Sequence, residues 1–291
     1  MVLVAALLLP LTAATAPVAE RGGACPPDCP PKRLAQEASR ALAEGRFQEA
    51  ERWFLLAAER SRDAGDSPRA AKLFSNAGAA RMYQHKYREA FEALSQAQEA
   101  ARAAGLAEVE AGIWSNLASL YGILGAWQEA ERSLEMAVSL MPESSPYRPA
   151  VLAQRVRHAL QRERRDEARV RQLWIEAMAE AEKAGDWQTQ RHLWDDLAEW
   201  RLSNGDLVRA EAALANSFRL ITLHHLRDPS SFWLLLGRLR LAQGSPLEAL
   251  RCFRRIPASR APGSGGVNIL TLAAAEAQAQ FRLNGPAAVL E

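Results

Sequence analysis

The chain has 291 residues, 48% hydrophobic and 24% charged, with a net charge of +2. It is long and apolar enough to bury a core, which excludes a chain disordered by composition. The near-neutral charge supplies no field for capturing nucleic acid, so no nucleic-acid partner is expected.

Residues 1–19, MVLVAALLLPLTAATAPVA, form an apolar run of signal-peptide length. Pro10 interrupts it, and it is short for a membrane span. No Lys or Arg precedes the apolar core, and the small-residue site Ala14-Thr15-Ala16 is followed by Pro17, a poor residue after a cut. Export to the periplasm or outside the cell is the expectation, with membrane contact only if the segment is retained. A misassigned start would leave the chain cytoplasmic.

Residues 20–33 are a Pro/Cys-containing linker. Cys25 and Cys29 stand four apart in CPPDCP. In an exported chain this spacing suits a small disulfide loop. A metal site needs about four ligands, and no histidine is near. A lipidated Cys25 is disfavoured because Gly22 occupies the position where a lipobox has leucine. Cys252 stands alone on an expected helix and reads as an inert buried thiol.

From residue 34 onward the sequence repeats itself every 40 residues, a period that marks a helical array. Gly45, Phe47 and Ala50 recur as His85, Tyr87 and Ala90, as Gly125, Trp127 and Ala130, and as Gly205, Leu207 and Ala210. Gly244, Pro246 and Ala249 follow, then Gly285. A second register places Gly65, Gly105 and Gly185 at the same multiples. Glycine after a run of helix formers marks a helix end in the left-handed conformation. The expected order is helix, short turn, helix, short turn, with no strands, because no stretch alternates with period two. Seven units follow: 34–64, 71–104, 111–142, 150–184, 190–225, 230–256 and 267–291. The fourth is degenerate around RERRDEARVRQLW, and a Gly/Pro/Ser-rich loop, 257–266, precedes the last. The last is incomplete, since Gly285 is followed by too few residues for a second helix; a truncated array, or one that continues elsewhere, is expected.

Within one unit, Trp114, Leu117, Ala118 and Tyr121 share one face of a first helix, and Ala130, Leu134 and Ala137 one face of a second. Helices packed at roughly 8–10 Å need small residues at the crossing. Ala38, Gly78, Ala118, Ala198 and Gly237 supply them on first helices, with Ala50, Ala90, Ala130, Ala210 and Ala249 on second ones. Phe74, Trp114, Trp194 and Trp233 on first helices, and Phe54, Leu94, Leu134, Leu214 and Phe253 on second ones, fill the space between pairs. One pair cannot bury this face alone; stacked neighbours do.

This pattern resembles the tetratricopeptide repeat, which Trp114, Leu117, Ala118, Tyr121, Gly125, Trp127, Ala130, Leu134, Ala137 and Pro142 match nearly throughout. The 40-residue period is similar to the longer repeats of kinesin light chains, of GoLoco-binding scaffolds and of bacterial arrays preceding CHAT peptidases. The resemblance implies an all-α, right-handed superhelical solenoid over 34–291 whose concave face is lined by first helices. It also implies ligand contacts at Ser75 and Asn76, Ser115 and Asn116, and Asp195 and Asp196, with Tyr83, Ser119, Glu199 and Arg238 next along the groove. In the longer-repeat relatives such an asparagine binds a peptide backbone, and Asn76 and Asn116 hold that place here. A primary amide both donates and accepts, as one peptide unit requires. The alternative is that these are solvated helix positions with no ligand. Acidic Asp195, Asp196 and Glu199 favour a ligand with a basic segment.

No catalytic spacing is present: G-x-S-x-G, H-E-x-x-H, GxxxxGK[ST] and GxGxxG are all absent from the sequence. His192 and Asp196 are an i, i+4 pair whose spacing suits a surface ion pair ahead of a weak metal site. Asp195 and Asp196 point about 100° apart on a helix, which suits no shared acid/base site. Neither cofactor nor metal is expected. Only Lys32, Lys72, Lys86 and Lys183 are lysines, so arginine dominates the basic residues. This reflects genome composition more than a site, although arginine pairs better with carboxylates in a groove. The expectation is a non-catalytic scaffold that binds a protein segment. The alternative is the recruiting region of a larger enzyme, such as a CHAT-type peptidase.

Overall fold

The computed structural model describes residues 29–162, 167–226, 229–256 and 269–284. The expected leader 1–19, Cys25 and the loop 257–266 lie outside the described residues. Thirteen helices, and no strand, occur among the described residues. They are α1 (Pro31–Ala43), α2 (Phe47–Asp63), α3 (Ser67–Tyr83), α4 (Tyr87–Ala103), α5 (Ala107–Ile123), α6 (Trp127–Leu140), α7 (Arg148–Arg162), α8 (Glu167–Lys183), α9 (Trp187–Ser203), α10 (Leu207–Leu223), α11 (Ser230–Ala242), α12 (Pro246–Phe253) and α13 (Ile269–Asn284). Odd-numbered helices are the first of each pair and even-numbered ones the second. None is long and apolar enough to cross a membrane. Two compact units divide the chain, Met1–Val151 and Leu152–Glu291.

The turns explain the two glycine registers. Gly45, Gly65, Gly105, Gly125, Gly185, Gly205 and Gly244 all have positive φ, between 64° and 80°. Each follows a helix end where two backbone bonds close the last turn. After α1, Gly45 N–H donates to the Leu42 carbonyl and Arg46 N–H to that of Ala41. This satisfies carbonyls the helix leaves open and needs a residue free to turn left-handed. Asp66, Asp186 and Asp206 then start the next helix by accepting from the N–H of Arg69, Thr189 and Arg209.

His85 fills the turn position at φ 61°, and its Nδ1 lies 2.7 Å from the Tyr87 hydroxyl. A left-handed non-glycine residue costs about 1–2 kcal/mol, part of which glycine's chain entropy returns. His85→Gly is therefore expected to raise the stability of the first unit by about 0.5 kcal/mol. A rise in its urea midpoint checks this.

The core is built where the small-residue crossings place it. Ala50, Ala90, Ala130, Ala210 and Ala249 are fully buried, and so are Phe54, Leu94 and Phe253. In the first unit Leu34, Phe54, Phe74, Leu94 and Leu117 form one continuous core, with Trp114 and Tyr121 packed at its edge. In the second, Ala198, Ala210, Leu214, Phe232 and Leu239 form another, bordered by Trp194 and Trp233. An alanine side chain at Gly78 would come within 2.8 Å of Leu94 Cγ, so that crossing is closed to anything larger than glycine without a shift.

Successive helix pairs are also pinned to each other by a device that recurs in both units. Glu51 on α2 accepts from Arg81 at 2.7 Å, Gln84 at 2.8 Å and Lys86 at 3.0 Å. Glu211 on α10 accepts from Arg240 and Gln243, both at 3.0 Å. Burial pushes the Glu51 carboxyl up, but the bonds from Arg81, Lys86 and Gln84 outweigh it and leave its pKa below the usual carboxylate range.

Candidate functional site

A first helix repeated in register sets residues one repeat apart side by side. In the first unit this brings Ser75 on α3 to Asn116 on α5, and Asn116 Nδ2 donates to Ser75 Oγ at 3.0 Å. The two helices pack directly on each other. Every residue of α3 from Leu73 to Ala80 is buried, an unusual run for a helix and one made possible by its alanines, serine and glycine. Ser75, Asn76, Ser115 and Asn116 are all buried. The side chains expected to line a groove thus lie inside the helix layer, where the Ser75–Asn116 bond joins successive first helices. A buried amide and hydroxyl need such partners. Tyr83 and Ser119 are only half-buried. Tyr83 stacks on Phe47 with ring centroids 5.0 Å apart, and Ser119 Oγ donates to the Ser115 carbonyl.

The second unit replaces amides with charge. Asp195 on α9 is 5% exposed and Arg191, one turn earlier, 2% exposed. One carboxylate receives three donors: Arg191 at 2.7 Å, Ser217 on α10 at 2.6 Å and Ser231 on α11 at 2.9 Å. Arg191 also donates to Ser231 at 2.9 Å. This joins α9, α10 and α11. Asp196, the next residue, faces Arg157 on α7 at 3.0 Å, and Glu199 faces Arg238 on α11 at 2.8 Å.

The acidic stretch expected to favour a basic ligand is therefore cancelled in place. Each of Asp195, Asp196 and Glu199 has an arginine of the same unit against it. His192 is not the partner of Asp196, because Arg157 reaches that carboxylate with both Nε and a terminal nitrogen. A bidentate guanidinium outcompetes an imidazole on the same helix. His192 instead lies 3.4 Å from the Gln188 amide.

Burial shapes the titration of these neighbours. It raises Asp195 to about 6, against the opposing pull of Arg191, Ser217 and Ser231. It lowers His192 to about 3, helped by the positive charges of Arg191 and Arg157. Asp196 holds the Arg157 guanidinium above its ordinary range.

The signs of the two shifts oppose. A lowered histidine loses native stability as pH falls below 6.5, by about 1.4 kcal/mol per unit, while a raised aspartate gains it as pH falls through 6. Between pH 7 and 5 these come to a loss of about 2 and a gain of about 1 kcal/mol. The wild-type second unit is expected to lose slightly over that range, and His192→Gln to gain about 1 kcal/mol instead. Urea midpoints at the two pH values check this.

Arg157 and Arg191 were not singled out by sequence, although a signal exists. Arg157 stands 39 residues before Asp196, and Arg191 stands 40 before Ser231. Pairing across the repeat, not along one helix, would have found them. Of the cysteines, Cys252 is buried with a free thiol, which burial pushes up. Cys29 is disulfide-bonded. Among the described residues no three His, Cys, Asp or Glu side chains are grouped to hold a metal ion.

No family model and no curated protein matches the chain. Solved structures do. BtubC (BKLC) from P. vanneervenii superposes with a TM-score of 0.54 at 20% identity, covering 78% of this chain and 90% of that one. A kinesin light chain with nearly identical TPR-like repeats from Podosopora anserina gives 0.47 at 18% identity, covering 67% and 95%. A tetratricopeptide repeat protein from Parabacteroides merdae gives 0.42 at 18% identity, covering 86% and 98%. Identity at this level speaks to fold alone. With its paired helices, its left-handed turns in two registers and its alanine crossings, the chain has an all-α helical-repeat fold similar to that of these structures.

Proposed function

We propose that the chain is a non-catalytic scaffold that holds a segment of another protein on the face of its first helices. The observation that carries this is the row of ion pairs in the second unit. Arg157–Asp196 and Glu199–Arg238 link α7, α9 and α11, and the side chains grow more exposed along it, from 19% at Asp196 to 56% at Glu199. An exposed bridge is worth about 0–1 kcal/mol, so a ligand group can replace either member at little cost. The row is balanced in charge. It suits a segment carrying a basic side chain for Glu199 and a carboxylate for Arg238, in preference to a purely basic one. In the first unit Tyr83 and Ser119 are the candidate contacts, because Ser75, Asn76, Ser115 and Asn116 are enclosed.

The test is affinity capture with the full chain followed by comparison of variants. Glu199→Ala/Arg238→Ala is expected to lose the captured partner by about tenfold in affinity while melting normally. Retention of the same partner at unchanged affinity by both this variant and Tyr83→Ala/Ser119→Ala would exclude the first-helix face.

A further inference from the structure

Two joints between successive helix pairs are closed by polar clamps, and the joint between α4 and α5 is built differently. Glu51 on α2 holds Arg81 and Gln84 at the end of α3, and Lys86 beyond it. Glu211 on α10 holds Arg240 and Gln243 in the same way. One repeat after Glu51 the residue is Phe91. Arg81 gives way to Tyr121, Gln84 to Leu124 and Lys86 to Ala126. The whole clamp is exchanged at once for largely apolar side chains. The Tyr121 ring meets Phe91 edge-on, with centroids 6.3 Å apart, and Leu124 follows three residues later on the same side of the chain. Unlike the enclosed Glu51 carboxylate, Phe91 remains 43% exposed and Leu124 55%. Among the described residues of the first unit, Met136 on α6 is the one other large apolar side chain that is exposed. An exposed apolar patch rimmed by polar residues marks an interaction surface.

Charged side chains flank this patch. Arg88 and Glu92 stand on either side of Phe91 in α4, 3.2 Å apart, with their side chains 90% and 55% exposed. An exposed pair at i, i+4 is weak, so both members can change partners at little cost.

We propose that the patch is a contact between two copies of the chain. Along α4 it reads cation, ring, anion: Arg88, Phe91, Glu92. A two-fold axis pairs residue i of one copy with j of the other, and j with i. A second α4 laid antiparallel across the first sets each Arg88 against the Glu92 of the other copy and covers both Phe91 rings. The patch is thus its own complement in charge as well as in apolar surface. Arg88 and Glu92 sum to zero charge, which gives a strongly acidic or basic partner nothing to bind. The contact is small, so the association is weak, with Kd on the order of 10 µM.

Sedimentation equilibrium of the full chain, between about 1 and 200 µM, tests this. The wild type is expected to pass from monomer to dimer. Phe91→Glu/Tyr121→Arg/Leu124→Gln rebuilds the clamp that the joint between α2 and α3 already carries, and is expected to stay folded and monomeric. Arg88→Glu alone sets Glu against Glu, and Glu92→Arg alone sets Arg against Arg; each is expected to weaken dimerisation by at least about fivefold. An equimolar mixture of these two variants is expected to dimerise as tightly as the wild type, because every contact is again Arg with Glu. The mixture decides the outcome by itself if the rebuilt clamp does not fold. A wild type that stays monomeric throughout would overturn the proposal. So would a folded rebuilt-clamp variant that still dimerises, or a mixture no tighter than its components.

Discussion

Replacing Gly237 by alanine is expected to destabilise the second unit by about 3 kcal/mol, an effect of one methyl group. The new Cβ would stand 2.2 Å from Phe253 Cε1, 2.7 Å from Cδ1 and 2.8 Å from Cζ. Phe253 is fully buried, so its ring has no open space to rotate into, and α11 and α12 must separate. Well-packed interiors resist such insertion. The equivalent crossings name the remedy: Ala118 and Ala198, where alanine stands in place of Gly237, belong to pairs whose second helices carry Leu134 and Leu214. Gly237→Ala/Phe253→Leu is therefore expected to recover most of the loss, although Phe253→Leu alone costs about 1 kcal/mol through the space it leaves. Urea unfolding followed by the tryptophans of the second unit measures all three. An unchanged midpoint for Gly237→Ala would mean that this crossing does not set the packing.

Removal of the Asp195 carboxylate is the second large effect. Asp195→Ala is expected to cost about 3–5 kcal/mol at neutral pH, because it strands the buried Arg191 without a counter-charge. It also removes the acceptor for Ser217 and Ser231. The pair is not for that reason a net stabiliser. Burial lifts Asp195 to about 6, so its ionised form is held at a cost. Arg191→Met/Asp195→Leu, which removes both charges, is expected to lie within about 1–2 kcal/mol of the wild type. The double variant tests what the pair is for. If the charges only stabilise, it will be as weak as Asp195→Ala. If they fix how α9, α10 and α11 stack, it will be stable but its unit less cooperative.

The fold was legible because its determinants repeat. A glycine that must turn left-handed and an alanine that must let two backbones approach leave the same letter at the same spacing each time. His85 was visible as the exception, and it occupies the same left-handed turn. The candidate site was less legible for a physical reason. Whether a polar side chain on a first helix faces solvent or the next helix depends on how closely successive first helices pack. That closeness is set by the small residues of α3 and by the charge pairs of α9, and neither is a local motif. Asn76 and Asn116 occupy the expected positions and are enclosed there. Asp196 is half-buried and Glu199 exposed, and each carries an arginine against it. Arg157 and Arg191 were missed because their partners are a repeat away or hidden by burial.

The exposed part of the first-helix face is where a partner is expected to be held. A photo-crosslinking amino acid placed at Glu199 on α9, compared with one at Arg219 on the exposed side of α10, tests that most directly. Crosslinking of the captured partner from position 199 and not from 219 is the result predicted. Crosslinking from 219 alone would contradict it.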